Sequence, residues 1–133
     1  MRRFQWVFGA VLAVLPLGAA ALTMDCAVRP GTANNGWITD RYIISLDEAS
    51  GAVTVIDGVI NYYEKKPVEG VLVKRTDKQI TVSWQVLVLS STQKRFKMDF
   101  RATYFVAEDR LDLFAKPPGF YETYGAPGRC TLG

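Results

Sequence analysis

The chain has 133 residues, with 16 Lys and Arg against 13 Asp and Glu, two cysteines and no histidine. The lack of histidine excludes a Ser-His-Asp triad, a Cys-His pair, an H-E-x-x-H zinc site and any imidazole general base. Of the net charge of +3, two units sit on Arg2 and Arg3, and the +1 carried by the rest makes no general case for nucleic acid or an anionic membrane as partner.

Residues 1–21 carry Arg2 and Arg3, an apolar run from Trp6 to Leu17, and small residues at Ala19, Ala20 and Ala21. This is the pattern of a secretory signal with an A-x-A site, and cleavage is expected after Ala21. Pro16 breaks the apolar helix just ahead of the small residues. The run is shorter than the roughly 20 residues a membrane span needs and no basic stop follows, so no stable anchor is expected after cleavage. Losing Arg2 and Arg3 leaves 14 basic against 13 acidic side chains in residues 22–133. That length suits a single β domain around one core, located in the periplasm or secreted.

A short first strand is expected near TMDCAVR, followed by the loop RPGTANNGW with a turn signal at Asn35-Gly36. ITDRYIISL and AVTVI read as the next strands. Asp57-Gly58 then predicts a type I′ hairpin into VINYY, because both central positions of that turn need positive φ. VLVKR follows, and after it ITVSWQVLVL, where Ile80, Val82, Trp84, Val86 and Val88 alternate with Thr81, Ser83 and Gln85. RFKMDFRATYFV repeats the period of two, with Phe96, Met98, Phe100, Ala102 and Tyr104 facing a core and charged residues facing water. RLDLFA completes about eight strands, and the Gly- and Pro-rich tail from Pro118 to Gly133 shows no strand or helix of its own. The linkers DEASG, RTDK, SSTQK and AEDR are short and polar, which allows only antiparallel neighbours.

Cys26 and Cys130 in an exported chain predict a disulfide, since no C-x-x-C spacing supports a redox pair. A loop that long corresponds to about 4 to 5 kcal/mol in the chain-entropy account. A meander whose first and last segments are bridged favours a small closed antiparallel barrel, with a two-sheet sandwich as the alternative. Closure also removes exposed edges. The large inward residues predict a mostly filled interior.

For chemistry, the sequence offers no G-x-S-x-G, no P-loop and no acidic ladder for calcium, so no cofactor, metal or catalytic residue is assigned. Asp40 falls in phase with Ile38, Tyr42, Ile44 and Leu46 and is read as a candidate buried carboxylate, the alternative being a strand-end carboxylate at the wet rim. The candidate contact surface has two parts. One is the cationic stripe Arg95, Lys97 and Arg101, beside Lys94; the other is the aromatic tail group Phe120, Tyr121 and Tyr124. Tyr62 and Tyr63, followed by Glu64-Lys65-Lys66-Pro67, form a third polar-aromatic segment.

The order LTMDC after the signal, ITVSW at the centre of the meander and GRC near the end resembles small uncharacterised exported proteins of Gram-negative bacteria. The resemblance spans most of residues 22–133 and implies no activity. In size and expected fold the chain is also similar to small periplasmic inhibitor barrels that block lysozymes or proteases, although none of their inhibitory motifs can be matched. The expectation is a non-enzymatic protein-interaction or inhibitor-like module with a periplasmic or extracellular protein as partner. The alternative is a carrier of a small apolar ligand.

Overall fold

The structure, a computed structural model, describes residues 21–31, 36–119 and 123–133. The expected signal lies outside the described residues except for Ala21. Eight strands, β1 (Ala21–Val28), β2 (Arg41–Asp47), β3 (Ala52–Ile56), β4 (Val68–Arg75), β5 (Gln79–Leu89), β6 (Arg95–Phe105), β7 (Arg110–Lys116) and β8 (Tyr124–Leu132), are joined by one helix, α1 (Gly58–Tyr63), between β3 and β4. Every strand pairs antiparallel with its sequence neighbours, and β8 pairs with β1, so the sheet closes into a barrel.

Inside and outside follow from the pleat. On β5 and β6 the residues of even number from Ile80 to Val88 and from Met98 to Tyr104 are buried, the phase that the alternation predicts. β2 behaves likewise, with Tyr42, Ile44 and Leu46 buried. One inner row runs around the wall through the register partners Val53, Gly70, Trp84, Phe100, Ala115 and Tyr124. Its two large neighbours stack, the rings of Trp84 and Phe100 lying 5.5 Å apart and 2° from parallel. Small residues flank them, and the smallest is obligatory: a Cβ on Gly70 would lie 2.7 Å from the Ser83 carbonyl oxygen. Tyr42 tilts against Trp84 at 5.9 Å, so large side chains fill this part of the interior.

The barrel seam is the β1–β8 ladder. Cys26 and Cys130 are register partners on it and form the disulfide, bridging 104 positions of sequence. Next to the bridge, Asp109 in the β6–β7 turn accepts hydrogen bonds from the Tyr104 hydroxyl at 2.8 Å and the Cys130 amide at 3.3 Å.

Two expectations are corrected. VINYY is the helix α1, and no hairpin stands at Asp57-Gly58. Asp57 has extended backbone, φ −152 and ψ −173, and caps the helix by accepting from the Ile60 amide at 2.9 Å. The tail, in turn, supplies the eighth strand, so the expected number is reached with different members.

Candidate functional site

β5 and β6 are each 11 residues long and outrun their outer partners. The last β4–β5 register pair is Gly70 with Trp84, and the last β6–β7 pair is Asp99 with Lys116. Beyond them the β5–β6 hairpin continues alone, and α1 comes alongside it: the Leu87 amide donates to Glu64 Oε2 at 3.3 Å. The outer wall between α1, β4 and β7 is therefore recessed, forming an open concavity of about 930 Å³.

Two outward-facing rows wall this groove. The first comprises the register partners Val71, Ser83, Arg101 and Phe114. In the second, Gln85, Asp99 and Lys116 are register partners, and Glu69 continues it on β4. The rows stand two residues apart along each strand, about 7 Å, and the groove crosses the strands between them. Val71 is 62% exposed, Phe114 46% and Leu87 39%, so three large apolar side chains meet solvent in one recess. Phe114 is also braced: a Cβ on Gly125 would sit 3.1 Å from its ring, so the missing side chain of the neighbouring strand gives the ring a shelf.

The charges are segregated. Lys97, Arg101 and Lys116 line the β6–β7 half, while Glu64 and Glu69 line the half formed by α1 and β4. Asp99 already accepts from Gln85 Nε2 at 2.6 Å, and Glu64 holds the Leu87 amide. Elsewhere on the barrel Arg41, Arg75, Arg110 and Arg129 each have a carboxylate partner. Among the described residues, Lys97, Arg101 and Lys116 have none, and neither have Arg29, Lys74, Lys78, Lys94 and Arg95 outside the groove.

Of the residues singled out from sequence, Arg95, Lys97 and Arg101 are all exposed on β6, and the groove gathers Lys97 and Arg101. Arg95 lies further along the hairpin, opposite Leu89. Tyr124 is half-buried and packs against the core, whereas Phe120 and Tyr121 fall outside the described residues. Asp40 is not a buried carboxylate but the exposed strand-end one of the alternative reading: the chain bends between Ile38 and the start of β2, and the Asp40 carbonyl accepts from the Val28 amide at 2.9 Å. Sequence reading missed Val71 and Phe114, whose strands it identified but whose exposure depends on the closed wall around them.

The buried carboxylate is Asp57, 7% exposed. One oxygen caps α1 and the other accepts from the Thr39 hydroxyl at 2.6 Å. Thr39 also donates its amide to the Tyr42 hydroxyl oxygen at 3.1 Å. Burial pushes the Tyr42 phenol well above its ordinary range, and the Asp57 charge adds to the effect. Tyr104 is pushed up to about 12, first by burial and then by Asp109. Both phenols are thus fixed in the neutral form and serve as hydrogen-bonding posts.

The described residues contain no grouping of three or more Cys, Asp or Glu able to hold a metal ion. No described helix is long and apolar enough to cross a membrane. No family model, curated protein or solved structure matches the chain.

Proposed function

We propose that the protein is a non-enzymatic interaction module of an extracytoplasmic compartment, which holds a partner protein in the groove on the outer wall of β4 to β7. The observation that carries this reading is the solvent-exposed trio Val71, Leu87 and Phe114 in one recess, while Tyr42, Trp84 and Phe100 occupy the interior. Exposed aromatic and aliphatic anchors ringed by charge are the composition of a binding surface. The braced Phe114 ring has less freedom to lose on association. The buried carboxylate argues in the same direction, since both Asp57 oxygens are already committed to structure. The disulfide is compatible with an oxidising compartment.

The test is site-specific photocrosslinking in producing cells, with a benzoylphenylalanine at position 114 and a control at Thr54, which is exposed on β3. A discrete protein adduct is expected from position 114 and none from position 54. Absence of any adduct from positions 114, 71 and 87 would refute the reading. A small apolar molecule co-purifying in native mass spectrometry would favour a carrier instead.

A further inference from the structure

Resting on the interaction reading above, we infer that the groove takes an extended acidic segment of its partner, about four or five residues long, with apolar residues at its ends. The length follows from the register. Val71 and Phe114 sit on the first and last of four adjacent strands, a separation of three strand spacings or about 14 Å. An extended chain covers that distance in about four residues. Each end then meets an exposed apolar side chain, Val71 at β4 and Phe114 at β7.

The charge follows from the partners that are missing. Between those anchors the occupant crosses Arg101, and Lys116, one row on, and Lys97, two rows on, both lie on the hairpin side of it. The one carboxylate among these cations, Asp99, is held by Gln85. Asp99 offsets one of these three charges and leaves two, so a carboxylate laid over Arg101 meets a positive half of the groove, and Arg can engage it through two parallel N–H donors. A continuous polyanion fits less well. A membrane or nucleic-acid surface covering the whole groove would bring negative charge against Glu64 and Glu69 as well. A short chain can carry its acid on the β6–β7 side alone.

The probe is a phage-displayed library of random heptapeptides selected on the immobilised disulfide-bonded protein, followed by fluorescence anisotropy of the enriched sequences as labelled peptides. Enrichment of Asp or Glu flanked by apolar residues is expected. Affinity should fall by roughly 10-fold or more in K97E/R101E, and also when NaCl is raised from about 0.05 to about 0.5 M. Circular dichroism of the variant should match the parent, since both side chains are exposed. Enrichment without acidic residues, or no enrichment, would overturn the inference. So would sedimentation with phosphatidylglycerol vesicles that K97E/R101E abolishes, if no acidic peptide binds. The two levels separate in the crosslinking assay: an adduct from position 114 that persists undiminished in K97E/R101E keeps the interaction face and removes the acidic segment, whereas no adduct in the parent removes the face itself.

Discussion

Trp84 provides the most direct probe of how the interior is packed. It is 3% exposed, stacks on Phe100 at 5.5 Å and meets Tyr42 at 5.9 Å. Truncation to alanine should cost about 3 to 5 kcal/mol, because its register partner Gly70 has no side chain with which to fill the space. A second term acts in the other direction. The indole Nε1 is buried and has no hydrogen-bond partner among the described residues, a burden of about 1 to 3 kcal/mol for an unpaired donor. Trp84→Phe removes that donor while keeping a ring against Phe100, and should cost less than about 1.5 kcal/mol. Urea unfolding followed by circular dichroism gives both values, with an unchanged denaturant slope showing that the same transition is compared. A loss above about 1.5 kcal/mol in Trp84→Phe would mean that the indole N–H is engaged after all, and the argument would fail. A loss below about 1 kcal/mol in Trp84→Ala would contradict the inward placement itself.

Two further outcomes follow from the buried polar groups. Asp57→Ala should cost about 2 kcal/mol, since it removes the α1 cap and strands the Thr39 hydroxyl, whereas Asp40→Ala should stay within about 0.5 kcal/mol; equal thermal shifts would refute the assignment. In alkali, the folded state keeps the Tyr104 proton up to about pH 12, while the unfolded chain releases it near pH 10.0. Stability should therefore be intact below about pH 10 and fall as pH rises towards 12, and the slope should flatten in Tyr104→Phe. An unchanged slope in that variant would show that Tyr104 is not the source.

The barrel could be read from sequence where side chains alternate without interruption, as from Ile80 to Val86 and from Phe96 to Tyr104. It was obscured where one residue type serves two geometries. Asp57-Gly58 suits a tight hairpin and a helix start equally well, and only Thr39, distant in sequence, makes the cap the better use of that carboxylate. The last strand was masked by Gly125, Pro127 and Gly128, which ordinarily weaken a strand. Each has a local reason here. Gly125 seats the Phe114 ring, and a Cβ on Gly128 would lie 2.5 Å from the Ala27 carbonyl oxygen. Pro127 accepts through its carbonyl from the Arg29 amide just past the last β1–β8 register pair, so its missing N–H falls at the end of that ladder. The groove was half legible for a similar reason. The cationic stripe is a property of one strand, but the apolar anchors belong to β4 and β7 and come together only when the wall closes.

The position of the disulfide also gives it a place in time. Every other strand pairing joins sequence neighbours, the longest connections being those from Val28 to Arg41 and from Ile56 to Val68. The bond between Cys26 and Cys130 must wait until the 104 positions separating them have been made, and the β1–β8 register then holds the two residues side by side. The bond locks the seam of the wall covalently, so thiol accessibility in a pulse-labelled population reports directly on the fraction of chains whose seam has yet to be bridged.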